Sequence, residues 1–281
     1  MLGLELSRRF PFEAVRPILE REFPEVEHAA ALIGHGSEIL GFDDERSRDH
    51  EWGPRVQLFM RDLDGADEIV RTMANVLPRS VAGFPTNFGP TDEEGTVVLA
   101  ELETGPINHR VETIVLADYL RAELGVDPLE GFTTTDWLAT PTQRLLESTA
   151  GEVFIDPIGD LTRVRELLAW YPHDVWLHVM AGHWRRVAQL EHFLGRTGSV
   201  GDELGSRVIA AWFVRDLMRL ALLRSSTIRR TGSGSGRPMP ICAAPNPRRL
   251  HARLPLTTGT RAKRRSRTRT RPLRGGTTNS R

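Results

Sequence analysis

Gly36-Ser37, followed after eleven residues by Asp49-His50-Glu51, is the stretch that decides the predicted fold. Apolar residues lie on both sides of it. The run from His28 to Ile33 predicts a buried strand, and Asp49 to Met60 predicts a second strand. Because side chains two apart in a strand share a face, Asp49 and Glu51 are expected to present their carboxylates together.

This pattern suits a metal and nucleotide-phosphate site. Two close carboxylates repel each other, and a divalent cation such as Mg²⁺ or Mn²⁺ relieves that repulsion while it binds substrate phosphates. Gly36 permits close backbone approach, and Ser37 is predicted to begin a short helix whose free N–H groups favour an anion. The layout therefore favours nucleotidyl transfer from a nucleoside triphosphate, for which ATP is the first candidate.

Each half of the pattern has an ordinary structural explanation. A Gly-Ser pair is common in turns, and acid-x-acid is common on solvated strand edges. Asp43, Asp44 and Glu45 form a rival acidic cluster in a predicted loop. Nearby arginines, Arg55 among them, are candidates either to contact phosphate or to neutralise these acids.

The wider pattern predicts an α/β (α+β) fold with a mixed sheet, followed by a helical region. Helices are expected at Phe12–Phe23, at Asp64–Leu77 and from Leu116 to Leu124, and strands at Thr96–Leu102 and Arg110–Ile114. After Gly125 helices dominate, including a single helix from Asp136 to Ser148. We therefore predict a first domain at 1–125, an all-α helical domain at 126–223 and a tail at 224–281.

The tail differs in charge from the rest of the chain. It holds sixteen Lys and Arg and no acid, which leaves 21 basic against 37 acidic residues before Arg224. It also lacks aromatic residues, so we expect a disordered basic tail. The chain has one lysine, Lys263, and the Arg, Thr, Ser, Gly and Pro bias of the tail is typical of a GC-rich message read out of frame. We hypothesise that the coding frame is lost shortly after Leu223, against the alternative of a genuine basic arm.

Composition also bears on location. The single cysteine, Cys242, excludes an intrachain disulfide, as suits a reducing cytosol. No stretch approaches the ~20 apolar residues of a membrane span, so we expect a cytoplasmic protein with no membrane contact. Composition does not predict the oligomeric state.

The quoted stretch resembles the signature of the DNA polymerase beta-type nucleotidyltransferase superfamily. Longer strings are similar to a bacterial family catalogued as a domain of unknown function. Besides the quoted stretch, these strings are Gly41 to Glu45, Ser47 to Pro54, Gly83 to Asn87, Trp137 to Pro141, Tyr171-Pro172 and Gly201 to Ser206. The resemblance covers roughly Met1 to Leu223.

The resemblance implies a nucleotidyltransferase-like domain followed by a helical domain similar to that of aminoglycoside nucleotidyltransferases. It also implies a third carboxylate on a later strand, for which Glu112 is the best match and Glu101, Glu103 and Asp156 are alternatives. The chain departs from the pattern where Glu51 replaces the more usual aspartate and where the aromatic C-terminal segment is missing.

These expectations define the predicted site and function. Asp49, Glu51 and Glu112 would hold the metal and serve catalysis, while Gly36 and Ser37 would bind phosphate. The reaction would move a nucleoside monophosphate to an unknown acceptor, which is a small molecule, a protein or RNA. The alternative is a catalytically inactive nucleotidyltransferase-like binding or regulatory protein of the antitoxin type.

Overall fold

A computed structural model describes residues 2–44, 47–48, 51–91 and 96–230, with side chains to residue 224. Asp49, His50, Glu45 and the predicted tail beyond residue 230 lie outside this part of the chain. The predictions that concern them, the disordered tail included, therefore stay predictions.

The elements alternate between helix and strand first and become helical later. The helices are α1 Gly3–Phe10, α2 Arg16–Glu22, α3 Ser37–Leu40, α4 Ala66–Val76, α5 Leu116–Leu124, α6 Thr134–Ala139, α7 Thr142–Thr149, α8 Asp160–Leu168, α9 His173–Ser199 and α10 Glu203–Arg230. The strands are β1 Ala29–Leu32, β2 Arg55–Met60, β3 Ser80–Val81, β4 Phe84–Pro85, β5 Arg110–Val115 and β6 Glu152–Ile155.

Four strands form a mixed sheet in the order β5-β2-β1-β6. β1 pairs antiparallel with both β2 and β6, whereas β2 and β5 run parallel. The predicted mixed sheet is therefore confirmed. The short strands β3 and β4 form a separate hairpin, and the predicted strand at Thr96–Leu102 is wrong, because only Leu99 makes a bridge, to Phe88. Two backbone bonds flank this bridge, from the Gly89 N–H to the Val98 carbonyl and from the Ala100 N–H to the Asn87 carbonyl, while the Ala100 carbonyl accepts from the Asn87 side-chain amide.

The N-terminal helix starts earlier than the apolar pattern predicted. A π-helical turn at Pro11–Val15 joins α1 to α2, and the N–H of Arg16 donates to the Pro11 carbonyl. Prolines at 11 and 17 lack N–H donors, so a regular α-helical ladder cannot be continuous here, and the wider turn accommodates them. Together with α4, these N-terminal helices pack against one face of the sheet.

The two faces of the sheet bury different clusters. Val56, Leu58 and Val111 pack against the N-terminal helices and α4. Phe59 points the other way and packs with Ala31, Ile33 and Leu161. Successive side chains of β2 thus point alternately to the two faces of the sheet.

The helical part of the chain has its own apolar cluster, and it also supplies a strand. Trp137, Tyr171 and Leu223 belong to that cluster, whereas β6 pairs with β1 in the sheet. The sheet therefore takes its fourth strand from beyond the predicted boundary at residue 125. Two further differences concern helix ends: Pro141 divides the helix predicted at Asp136–Ser148 into α6 and α7, and α10 continues from Leu223 to Arg230. Across the described residues, none of the helices combines the length and the apolar character needed to cross a membrane.

His109 links β5 to α4 in its neutral form. Its Nδ1 accepts from the Val111 N–H at 3.1 Å, and its Nε2 lies 3.0 Å from the Val70 carbonyl oxygen, to which it donates. Burial lowers the pKa of His109 below its ordinary 6.5, the Val70 hydrogen bond acts in the opposite direction, and Arg110 lowers it further. A proton on Nδ1 would face the Val111 N–H, so protonation disrupts this link.

Stability should therefore depend on pH through His109. Because the folded pKa lies below the unfolded one, the unfolded chain binds the extra proton between the two values, and stability falls as pH drops below about 6.5. His109→Gln should be less stable than the parent by about 1 kcal/mol at pH 8, and the gap should narrow towards pH 5. Urea unfolding at several pH values checks this. A gap that stays constant or widens towards acid would show that His109 does not titrate in this way.

Candidate functional site

Three of the predicted site segments lie at one end of the sheet. Gly36-Ser37 follows the carboxyl end of β1, and Glu51 precedes the start of β2, which runs antiparallel beside β1. β5 runs parallel to β2 and carries Glu112 opposite Gln57. Antiparallel and parallel pairing together thus place the end of β1 and the starts of β2 and β5 at the same end of the sheet.

Gly36 takes a backbone conformation that favours glycine. Its φ is +141°, and it precedes the four-residue helix α3, whose first residue is Ser37. A Cβ at Gly36 would lie 2.8 Å from Oε2 of Glu38 and 3.4 Å from Nη2 of Arg55. The turn and the helix start were both predicted, and the nearness of a carboxylate and a guanidinium to this turn is new.

Glu51 does not lie on a strand, so the predicted strand at Asp49–Met60 is wrong at its beginning. β2 begins at Arg55, after Gly53-Pro54, and lies inside the sheet rather than at its edge. Glu51 has φ +47°, and its N–H donates to the Val97 carbonyl at 2.8 Å. This left-handed residue interrupts the alternation on which the shared face of Asp49 and Glu51 depended, and Pro54 has no N–H with which to extend the ladder.

Glu112 lies on β5 with its side chain exposed. Its neighbour Val111 packs into the cluster beneath the N-terminal helices, so Glu112 belongs to the opposite face. The same face of β2 carries Arg55 and Gln57, and Oε1 of Gln57 accepts from the Ile33 N–H at 2.9 Å. This end of the face is therefore polar, in contrast to the apolar packing around Phe59 further along.

Arg55 forms an ion pair with Glu38, the residue that follows Gly36-Ser37. Both side chains are largely buried. Arg55 therefore neutralises an acid, but Glu38 is not one of the acids that the sequence suggested as its partners, and the Arg55 Nε has no hydrogen-bond partner among the described residues. Local sequence spacing does not reveal this pair, because Glu38 lies on α3 and Arg55 on β2.

Tyr119 borders the same face and was not predicted. Its ring packs edge-on against Phe59, and a Cβ at Gly34 would lie 3.3 Å from its hydroxyl oxygen. That hydroxyl is buried and has no hydrogen-bond partner among the described side chains and backbone groups. Burial raises the pKa of Tyr119, with smaller contributions from Glu123, Glu147 and Glu112 in the same direction. The phenol therefore stays protonated and keeps a donor.

The alternative acids are mostly used in local structure. Asp43 accepts from the N–H of Gly3, which lies in the first turn of α1 and has no partner within the helix. Asp156 accepts from the Gly159 N–H at 2.9 Å and from the Thr162 N–H at 2.7 Å, which caps α8. Glu101 and Glu103 lie in an exposed segment outside the strands.

Within the described residues, no group of three or more His, Cys, Asp or Glu side chains is placed to hold a metal ion. Asp49 lies outside those residues, so the predicted trio of Asp49, Glu51 and Glu112 stays a prediction. The donor chemistry of Glu51 and Glu112 does suit Mg²⁺, which prefers carboxylate oxygens.

Gly83 to Asn87, one of the strings that carried the resemblance, has a structural role. The Thr86 hydroxyl donates to the Pro78 carbonyl, and Oδ1 of Asn87 accepts from the Asn108 N–H at 2.9 Å. These bonds tie the β3–β4 hairpin to the segment that enters β5. The string therefore helps to position the strand that carries Glu112.

The comparisons with known proteins concern the helical part of the chain. A domain of unknown function, DUF4037, is found at residues 137–227. This range runs from α6 into the last turns of α10, and the predicted relationship to a domain of unknown function is confirmed for it. No curated protein and no solved structure matches the chain.

Proposed function

We propose that this protein is a metal-dependent nucleotidyltransferase that moves a nucleoside monophosphate from a triphosphate, first of all ATP, to an acceptor. The observation that carries the proposal is the sheet topology, in which the end of β1, followed by Gly36-Ser37, lies at the same end as the starts of β2, preceded by Glu51, and of β5, which carries Glu112. A phosphate-binding turn and carboxylates are the parts that phosphoryl chemistry with a divalent cation requires. The nucleotidyltransferase-like relationship and the bacterial origin implied by the sequence resemblance are parts of this proposal.

The electrostatics of the turn support a requirement for metal. Arg55 is the guanidinium nearest to Gly36, but Glu38 already offsets its charge. A triphosphate bound at the turn therefore needs further positive charge. Asp49, Glu51 and Glu112 would hold Mg²⁺ or Mn²⁺, which would activate the attacking oxygen and stabilise the charge on the leaving pyrophosphate.

The residues of the chain itself have separate roles in this reaction. Gly36 and Ser37 would donate to the phosphates and fix their position, as backbone N–H groups at a helix start do. Glu112, exposed on β5, would complete the metal site or accept the proton of the acceptor hydroxyl. The buried Tyr119 hydroxyl keeps its proton and would be a donor at the border of the site.

A second function is favoured by one observation. Glu51 lies on a left-handed turn instead of on β2, so the carboxylates lack the strand alternation that would aim them together. A catalytically inactive nucleotidyltransferase-like binding or regulatory protein, of the antitoxin type, would have this arrangement.

Thermal unfolding with ATP and the other triphosphates, with and without Mg²⁺, separates the two functions. We expect stabilisation only when triphosphate and metal are both present, and at a ligand concentration of 100 times Kd it amounts to about 2.7 kcal/mol. Asp49→Ala should abolish it, whereas Asp62→Ala, which changes an exposed acid outside the site, should not. Stabilisation by no triphosphate, or equal loss in both variants, would contradict the proposal. Labelled triphosphate and a cell extract then identify the acceptor as small molecule, protein or RNA.

A further inference from the structure

A buried carboxylate surrounded by arginines lies between the two longest helices. α9 and α10 pack side by side, and the Trp176 indole near the start of α9 donates to the Leu223 carbonyl near the end of α10. The two helices therefore run antiparallel. Between them lies Asp216, which is 0% exposed.

Three guanidinium groups approach Asp216. Nη2 of Arg186 lies 3.1 Å from Oδ2, and Nε of Arg215 and Nη1 of Arg219 each lie 3.9 Å from Oδ1. Although these are ion-pair distances, neither carboxylate oxygen has a hydrogen bond of good geometry from any described residue. One carboxylate is therefore paired with three arginines, and each guanidinium has further N–H donors beyond those directed at Asp216.

The surroundings carry excess positive charge. The facing segments 175–190 and 209–224 contain five arginines and a single acid, Asp216. His183 lies with Nδ1 3.8 Å from Asp216, and its pKa is lowered, first by burial and then, against the effect of Asp216, by the three arginines. With His183 neutral, the cluster of Arg186, Arg215, Arg219 and Asp216 has a net charge of +2.

The arginines are open to a ligand. Their side chains are 47%, 49% and 49% exposed, whereas the carboxylate behind them is fully buried. Trp212 lies four residues before Asp216 and seven before Arg219, on the same side of α10, and its side chain is 49% exposed. Trp212 and Trp184 are thus about half exposed, whereas Trp52, Trp137 and Trp170 are buried in the core.

We propose that Arg186, Arg215 and Arg219 form a binding site for a phosphate group, with Trp212 as a stacking surface for the attached base. Arginine forks suit phosphate oxygens, and exposed indoles suit bases. The ligand is a phosphate ester of a nucleoside, either a free nucleotide or a single-stranded nucleic acid. This site is separate from the turn at Gly36, and its chemistry needs no metal.

Calorimetric titration in EDTA tests the site without the metal on which the proposed transfer depends. The probes are inorganic pyrophosphate, AMP and a single-stranded RNA oligomer. Arg215→Ala and Arg186→Ala should each weaken binding about tenfold, by loss of a charge-assisted contact. Arg185→Ala, an exposed neighbour outside the cluster, should change it less than about twofold. Two variants are used because loss of Arg186 removes the nearest partner of Asp216, and circular dichroism confirms that each is folded.

The outcomes distinguish a free nucleotide from a nucleic acid, and they also test the phosphate site and the role of Trp212 separately. Tighter binding of the oligomer than of AMP identifies nucleic acid, and the reverse order identifies a free nucleotide. Trp212→Ala should weaken AMP binding but leave pyrophosphate binding unchanged, while Trp184→Ala should change neither. No binding of any probe at millimolar concentration, or equal loss in Arg185→Ala and Arg215→Ala, overturns the phosphate site. Unchanged AMP binding in Trp212→Ala overturns the role of Trp212.

Discussion

Replacement of Gly151 by alanine is expected to lower the free energy of unfolding by about 3 kcal/mol, through left-handed strain and overpacking together. Gly151 has φ +71°, and a Cβ there would overlap the Leu32 carbonyl oxygen and lie 3.1 Å from Cγ2 of Ile39. Backbone cannot yield as a flexible side chain can, so β1 and α3 would have to move. Thermal unfolding should show a decrease in Tm of roughly 10 °C.

Gly159→Ala is the matched control for this effect. Gly159 has a similar φ of +83°, but no atom lies within 4 Å of its hypothetical Cβ. Only the left-handed strain should remain, at about 1 kcal/mol. If Gly151→Ala is no worse than Gly159→Ala, close approach between Gly151 and β1 is not a constraint on the fold.

Glu38→Ala should be the second strongly destabilising change, at about 3 kcal/mol. The Arg55 side chain is only 17% exposed and its partner Glu38 only 8%. Removal of the acid leaves a charge inside the protein with no compensating carboxylate, and charge burial without a partner is costly. Urea unfolding of the single variants measures the loss.

Two comparisons establish that the loss comes from the unpaired charge. In the double variant Glu38→Ala with Arg55→Met, the charge is absent, so much of the stability should return. Glu20→Ala removes one partner of an exposed pair, Arg16–Glu20, whose side chains are 51% and 61% exposed. That change should cost less than about 1 kcal/mol. A double variant as unstable as Glu38→Ala would assign the loss to packing.

Helices and strands with a regular repeat of apolar residues could be predicted from the sequence alone. β1, α4, α5 and β5 were found within two residues of their ends, because apolar side chains recur at the strand or helix period there. Asp202, in one of the strings that carried the resemblance, caps the start of α10, since its carboxylate accepts from the Gly205 N–H at 2.8 Å.

Features that depend on contacts between residues far apart in the sequence could not be predicted from local patterns. The start of β2 depends on the bond from Glu51 to Val97, which the alternating pattern of residues 49–60 does not reveal. Arg55 and Glu38 lie 17 residues apart, and Asp216 meets Arg186 across two helices. The one available signal for the second pair was a single acid in an arginine-rich, otherwise apolar stretch. For the candidate site, the resemblance predicts which residues take part. Their arrangement depends on the pairing of β1, β2 and β5, which local sequence patterns do not show.

The position of β6 at the edge of the sheet has a consequence for the order of synthesis. β1 leaves the ribosome more than a hundred residues before the strand that covers its free edge, since β6 ends at Ile155. Until then the nascent chain exposes the N–H and C=O groups of an alanine-rich strand beside the Gly36 turn, and such an open edge invites pairing with other chains. A fragment that ends at residue 125 would lack β6 and keep this edge of β1 unpaired, so we expect it to associate with other chains through that edge.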